Sequence, residues 1–493
     1  MFRNAFACHR ATIADRYDVG RVAVDIDMLP DVALLEIFDC YVNQAREESY
    51  DERWLQIQAW HTLVHVCRKW RTIVLGSPGR LDLRLFCKDT TPVKETLAFW
   101  PPLPIVIGQH NPPMRGMDNI IVALEHNDRV CEIDLEFATN SSLVEVLTAM
   151  WQPFPALTDL VLRSWGQDDH ETHPIVPESF LGGSAPRLQL LRLQKIPFPG
   201  LTKLLLSATD LVNLDLLNIP HSGYISPEAL VDCLSTLTRL ESLLLGFGSP
   251  VSRSVRETRR PHPPTRSILL ALTYFWFKGV SEYLEDLLAR IDAPLLDSFH
   301  ITFFPQLIFD TPQLAQFVAR TPNTQPPVEV HIVFLDSGVL VRFPRTFPRN
   351  FSLGINCRHS DWQLSSLAQV CSLSFPEAFI PGVQYLYIYE LEYPQPHWQD
   401  DIEDSQWLEV LHPFTAVEDL FLSREFTSRI APALHDLSGE VLPSLQNILL
   451  EDLHPSAPVQ GEAIGKFVAA RQLAGHHIAV SLGWKTRQVV GAR

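Results

Sequence analysis

A short apolar pattern that recurs along most of the chain is the feature that most limits what it can fold into. Each copy has apolar residues at the first, fourth and sixth of six positions, as in LTDLVL from Leu157. Side chains alternate along a β-strand, so each copy predicts a strand with one buried face. Successive copies are 23–34 residues apart, except across one gap of 87 residues that we expect to hold degenerate copies near residues 328–335 and 351–357. The copies begin at Val130, Leu157, Leu188, Leu211, Leu240, Leu272, Leu296, Val383, Val417 and Leu445.

Helix signals lie between the copies. Ser226 and Pro227 stand as a capping residue and a first-turn proline before EALVDCLSTL, and Thr311 and Pro312 precede QLAQFVAR in the same way. One strand and one helix per 23–34 residues resembles the leucine-rich repeat, whose units stack into a solenoid with parallel strands. The turn position that carries Asn or Cys in that repeat is apolar here, as at Trp165, so we expect an irregular solenoid. A layered α/β domain with a parallel sheet remains the alternative.

Residues 27–75 have the pattern of a compact helical module. Asp27 and Pro30 are a cap and an early proline for a first helix, which carries a wide apolar stripe. A polar stretch follows, and a further helix is predicted from Trp60 to Gly76, where the glycine ends it.

Two motifs in this module resemble an F-box. A Leu-Pro pair is followed by an Ile-Phe pair, and Val-Cys-Arg-x-Trp comes after an acidic linker that is longer than in compact F-boxes. The resemblance implies docking on the Skp-family adaptor of an SCF-type ubiquitin ligase, and through it on a cullin. A module of about fifty residues buries little core alone, so we expect Leu29 and Phe38 to stay available to the adaptor's groove. Adaptor binding is implied for Leu29, Pro30, Leu34, Ile37, Phe38, Leu63, Val66, Cys67 and Trp70.

The predicted fold class is therefore α/β: a small N-terminal all-α F-box module followed by an irregular leucine-rich-repeat-like α/β solenoid, with parallel strands and helices. The expected division is 1–24 as a disordered leader, 25–80 as the F-box, 81–118 as a Pro-rich connector, 119–485 as the degenerate repeat domain and 486–493 as a tail.

Composition narrows the class of partners and the compartment. The formal net charge of −17 argues against nucleic acid and anionic membranes as partners. No apolar stretch approaches the ~18 residues of a membrane-spanning helix. The eight cysteines include no Cys-x-x-Cys pair, and we interpret them as reduced thiols of a cytoplasmic or nuclear protein.

Catalytic motifs are missing from the sequence, so we expect a protein that is not an enzyme, with no metal and no cofactor. A cluster of acidic and histidine residues in 168–173 has donor types that can bind a metal, but a solvated loop is the preferred interpretation. A basic stretch can receive an acidic or phosphorylated segment, although a flexible insertion explains it more simply. Its arginines are Arg253, Arg256, Arg259, Arg260 and Arg266.

The repeats also predict where a target protein would bind. If the first, fourth and sixth positions of each copy point inward, the fifth and seventh line the opposite, concave face. Aromatic and arginine side chains on such a face are common anchors of protein recognition. The candidate target-binding residues are Arg163, Arg192, Gln194, Asp215, Trp276, Lys278, His300, Tyr387 and Tyr389.

These observations together favour a substrate-recognition adaptor of an SCF-type ligase, in which the F-box binds the Skp adaptor and the repeats bind a target protein. Two alternatives stay open: a protein-binding repeat scaffold with no role in degradation, and an enzyme whose site leaves no linear motif.

Overall fold

The chain divides into two compact units, residues 1–86 with 97–104, and residues 87–96 with 105–493. The expected leader and tail lie outside the residues that the structure, a computed structural model, describes. Those residues are 29–47, 53–90, 92–108, 117–165, 174–250, 265–321, 326–344, 350–357, 362–377, 379–391, 404–423, 426–427, 429–430, 434, 441–451, 461–473 and 475–484.

Helices and strands alternate through most of the described residues. The helices are α1 Asp31–Glu47, α2 Arg53–Val64, α3 Arg68–Gly76, α4 Val93–Phe99, α5 Asp118–Leu124, α6 Asn140–Ala149, α7 Leu201–Ser207, α8 Pro227–Leu234, α9 Ser281–Leu288, α10 Pro312–Arg320, α11 Trp362–Leu373, α12 Asp404–Leu411 and α13 Gly461–Leu473. The strands are β1 Leu85–Cys87, β2 Ile105–Gly108, β3 Val130–Phe137, β4 Asp159–Ser164, β5 Leu190–Gln194, β6 Asn213–Ile219, β7 Ser242–Phe247, β8 Ser267–Ile268, β9 Tyr274–Gly279, β10 Ile291–Asp292, β11 Ser298–Phe303, β12 Glu329–Leu335, β13 Gly338–Pro344, β14 Asn350–Asn356, β15 Tyr385–Glu390, β16 Asp419–Leu422, β17 Asn447–Glu451 and β18 Ala479–Trp484.

The first unit contains α1, α2 and α3 around a small apolar core. The helix expected from Trp60 to Gly76 is two helices, because the backbone is extended at Cys67 and a new helix begins after it. The Cys67 thiol accepts a hydrogen bond from the backbone N–H of Trp70 at 3.5 Å. This bond gives a partner to a backbone N–H in the first turn of α3, where the helix itself offers no carbonyl acceptor. Arg71 Nε spans the break and donates to the Val64 carbonyl at 3.0 Å.

The second unit is built on a long, mostly parallel sheet. Strands β2 to β7, then β9 and β11, lie side by side in chain order, and each pairs in parallel with the next. The central apolar residues of four copies, Leu160, Leu191, Leu214 and Leu243, are register partners on consecutive parallel strands, and all are fully buried. Sequential parallel strands joined by helices are the arrangement of a leucine-rich-repeat-like solenoid, so the predicted α/β fold class is confirmed.

The sheet begins inside the segment that we expected to be a connector. That segment contains β1, α4 and β2, and β2 pairs in parallel with β3. Every residue of β2 is buried, because three successive apolar residues, Ile105, Val106 and Ile107, form a strand covered on both faces.

The centre of the sheet differs from the degenerate repeats expected there. Strands β12 and β14 cover the two candidate segments, but β13 lies between them and is antiparallel to both. The spatial order is β11-β14-β13-β12-β15, so the chain reverses direction before the parallel order resumes at β15. The short connections from β12 to β13 to β14 explain this, because a parallel pair needs a longer crossover.

A row of phenylalanines supports these central strands from the inner face, the side that packs on the helices. Phe275, Phe299, Phe351 and Phe343 are register partners on β9, β11, β14 and β13, and all are buried. Neighbouring rings stack nearly parallel, with centroids 5.2, 5.5 and 5.4 Å apart. Phe317 of α10 packs against Phe299 at 5.6 Å, so the row joins the sheet to a helix.

Helix starts in the second unit use two kinds of cap. At α8 the predicted cap is confirmed, because the Ser226 hydroxyl accepts from the Ala229 N–H at 3.2 Å. At α10 the helix begins where predicted, but Thr311 does not cap it; its hydroxyl donates to Ser374 Oγ at 2.7 Å. The Glu285 carboxylate of α9 instead accepts from the first N–H groups of α10 and thereby links consecutive helices. These are Gln313 N at 2.7 Å and Leu314 N at 2.8 Å.

Glu285 makes the stability of this unit depend on pH. Burial raises its pKa from 4.5 to about 7, although the two backbone N–H groups favour the charged form. The folded state therefore holds a proton that the unfolded state releases, so this contribution to stability is largest below about pH 4.5 and is lost as the pH rises to about 7. We expect Glu285→Gln to flatten the decline in the free energy of unfolding over that range, measured by urea denaturation at several pH values. Glu282→Gln, on the exposed side of the same helix, is the control, and an equal change in both variants would contradict the assignment.

Candidate protein-binding surfaces

The two F-box-like motifs come together in the first unit. The Phe38 and Trp70 rings contact each other, with centroids 4.7 Å apart. Lys69 Nζ donates to the Leu29 carbonyl at 3.0 Å, which joins the start of α1 to the start of α3. Segments more than thirty residues apart in the sequence therefore meet in one small module.

The residues for which adaptor binding was implied differ in how deeply they are buried. Leu34, Phe38 and Leu63 are buried in the core of the unit. The expectation that Phe38 stays available to a partner is wrong, because the α1 stripe is wide and its central positions, one turn apart, face α2 and α3. Leu29, Cys67 and Trp70 are partly buried.

Apolar side chains remain at the surface on either side of that core. Pro30 is exposed, and Ile37 and Val66 keep 47% and 55% of their surface exposed. Tyr41 lies one turn after Ile37 on α1 and is also exposed, although the motif comparison did not select it. A small module that leaves these side chains in solvent has the chemistry of a docking surface.

A second surface is the outer face of the sheet, which we define as the face opposite α9 and α10. Register partners share a face, so this outer face includes the fifth and seventh positions of the paired copies. It also includes the third positions, such as Tyr274 and Tyr385, which the same alternation marks and which we had not selected.

The first strands of the outer face carry arginines held by carboxylates. Arg163 Nη1 donates to Asp134 Oδ1 at 2.7 Å and to Glu136 Oε1 at 3.2 Å. Arg192 Nε donates to Asp215 Oδ2 at 2.7 Å. Asp215 was expected to be accessible, but it is buried, and burial raises the pKa of its carboxyl even though Arg192 opposes the shift. Both arginines are therefore paired with carboxylates of neighbouring strands.

The later strands carry an aromatic cluster. The Tyr387 ring stacks between His331 and Phe421, with centroids 4.4 and 4.0 Å away. Tyr389 was expected to be exposed but is buried; its hydroxyl lies 3.1 Å from His331 Nδ1, and Glu329 Oε1 lies 2.7 Å from His331 Nε2. Phe421 occupies the fifth position of its copy, so the repeat rule points to it as well.

The remaining candidates, Gln194, Trp276, Lys278 and His300, are partly exposed on the outer face. The Trp276 indole packs against Gly246, where an added Cβ would come within 2.7 Å of the ring, so a larger residue at this position would displace it. No sequence pattern marks Arg342, which reaches the outer face on the antiparallel strand β13.

The other chemical candidates gain no support from the described residues. The acidic and histidine cluster, and every arginine of the basic stretch except the exposed Arg266, lie outside them. Within the part of the chain that the structure describes, no three potential ligands cluster as a metal site and all seven cysteines are free thiols. No described helix has the length and apolarity needed to cross a bilayer.

These surfaces and the strand order define the class of protein: an α/β repeat protein with an open sheet face. No protein-family model and no curated protein matches the chain. It is similar to the leucine-rich repeat-containing protein LegL7 from Legionella pneumophila, a crystal structure, at 16% identity and a TM-score of 0.27, over 70% of this chain and 91% of that one. The class therefore rests on the strand order and register given above.

Proposed function

We propose that this chain is a substrate-recognition subunit of an SCF-type ubiquitin ligase. The first unit would bind a Skp-family adaptor, and the outer face would bind a target protein. The observation that carries the proposal is the meeting of the two F-box-like motifs, with Pro30, Ile37 and Val66 left in solvent around a packed core. Apolar side chains displayed by a small helical module are suited to the groove of a helical partner.

The chain itself supplies no chemistry in this function. It holds a target near the conjugating enzyme and so raises the local concentration of the two reactants, which accelerates transfer without a catalytic residue here. The outer face suits the second role because partly exposed aromatic rings cost little entropy to fix and bury much area when a protein covers them.

Adaptor binding tests the proposal directly. We expect Ile37→Asp with Val66→Asp to weaken binding of a purified Skp-family adaptor by at least about tenfold, because each change places a charge where an apolar side chain would be buried. Titration calorimetry measures the affinity, and circular dichroism checks that the helices persist.

The matched control is Val144→Asp with Leu206→Asp, two similarly exposed apolar residues on helices of the second unit. This variant should bind the adaptor like the wild type. If the wild-type chain does not bind the adaptor, or if the Ile37 and Val66 variant binds it equally well, the ligase proposal fails and a repeat scaffold without the adaptor becomes the better hypothesis.

A further inference from the structure

The outer face contains a trough at its centre. Strands β9, β11, β14 and β13 are neighbours there, and their outward residues form a grid in register. The two middle strands carry small residues, including Ser298 and Thr302 on β11 and Ser352 and Gly354 on β14. The outer two carry long side chains, including Lys278 on β9 and Arg342 on β13. Strands lie about 4.8 Å apart, so β9 and β13 are about 14 Å apart, wide enough for one extended chain between their side chains. Arg342 is aligned with Trp276, two residues from Lys278 along the strand direction.

The floor of the trough is open on the β11 side only: Ser298 and Thr302 are half-buried, whereas Ser352 and Gly354 are buried, with the Leu340 side chain beside Gly354. The Trp276 indole packs against Gly246 of β7, on the far side of β9 from β11. It therefore does not cover Ser298 or Thr302. His300 stands on the floor with Nδ1 2.7 Å from Ser352 Oγ, which leaves its Nε2 without a partner among the described residues.

Two cations, Lys278 and Arg342, border this trough, and their surroundings differ from those of Arg163 and Arg192 on the same face. The Lys278 ammonium lies 5.8 Å from the centroid of Phe304, the residue just after β11, so it leans over that side of the trough. Arg342 is close enough to His300 to help lower the pKa of its imidazole, after the larger effect of burial. Among the residues that the structure describes, neither Lys278 nor Arg342 has a carboxylate partner, whereas Arg163 and Arg192 do.

We infer that the central trough binds a short, extended acidic segment of the target protein, with Lys278 and Arg342 each pairing a carboxylate. The inference rests on the proposed function and specifies the partner of the same face. Cations that have no carboxylate partner among the described residues, in a chain of net charge −17, are the groups that an acidic ligand would complement.

The surroundings explain why the segment is short and is not a long polyanion. Carboxylates flank the trough on both sides along the face, at Asp215 towards β6 and at Glu329 and Asp419 towards β16. A nucleic acid crossing the face would meet these charges, whereas a short segment over β9, β11, β14 and β13 would lie between them.

A peptide array tests the inference with the full chain. The probes are extended Gly/Ser peptides bearing two Asp or Glu residues at varied spacing, with Asn/Gln, phosphoserine and Lys peptides as comparisons. We expect retention on the Asp and Glu peptides, weaker at high salt. Lys278→Glu with Arg342→Glu should lower the affinity, measured in solution for the best peptide, by at least about tenfold.

The matched control is Arg187→Glu with Lys203→Glu, two exposed cations elsewhere in the second unit with the same change in net charge. It should keep peptide binding. No retention of acidic peptides, equal losses in both variants, or retention of phosphoserine peptides alone would overturn the inference. None of these outcomes bears on adaptor binding, which depends on the first unit, so the two proposals fail separately.

Discussion

Phe299→Ala is expected to lower the free energy of unfolding of the second unit by about 3–5 kcal/mol. Phe299 is fully buried, stacks between Phe275 and Phe351, and contacts Phe317 of α10. Its removal leaves a cavity with rings on three sides, and close-packed neighbours relax only partly to fill such a space. The row also joins a strand of the parallel region to the antiparallel segment, so the loss falls where the sheet changes direction.

Urea denaturation, monitored by circular dichroism, measures this effect. The dependence of the unfolding free energy on urea concentration is compared between variants, because a repeat array need not unfold in two states. Leu307→Ala is the control, since this side chain is largely exposed and should change stability by less than about 0.5 kcal/mol. A Phe299 variant as stable as the Leu307 variant would mean that the aromatic row does not support the sheet.

Phe38→Ala combined with Trp70→Ala is expected to unfold the first unit and so to abolish any adaptor binding. Phe38 is fully buried, and its ring meets Trp70, which packs on the same core. Truncating the buried Phe38 costs about 3–5 kcal/mol, and the partly buried Trp70 adds to this loss, although contacting residues do not add simply. The total is large for a small unit.

The structural readout separates this variant from the surface variant of the same unit. Phe38→Ala with Trp70→Ala should lose both protease resistance and adaptor binding, whereas Ile37→Asp with Val66→Asp should lose binding alone. Val32→Ala, at an exposed position of α1, is the control and should lose neither. If the variant with Phe38→Ala and Trp70→Ala stays folded and still binds the adaptor, the assignment of both motifs is wrong.

Local sequence determined the features that depend on short-range alternation. The leucine copies predicted the buried row from Leu160 to Leu243, since alternate side chains of a strand face opposite sides wherever the strand lies. The start of α8 followed from Ser226 and Pro227 for a similar reason, because a side chain caps a helix start from within the same turn.

Tertiary structure decided the features that depend on which segments meet. The wide apolar stripe of α1 contains both the buried Phe38 and the exposed Ile37, and only packing against α2 and α3 divides them. The cap of α10 comes from Glu285, more than twenty residues earlier, where no local pattern marks it.

The outer face shows the same division most clearly. Alternation predicted that Trp276 and Lys278 share a face, because they are two residues apart on one strand. The return of the chain through β12, β13 and β14 brought Arg342 to the opposite side of the small residues of β11 and β14. The alternation of side chains along a strand predicts which face of the sheet a residue lies on, but it does not predict which strand lies beside that residue. The sheet order alone therefore placed these two cations on opposite sides of one trough.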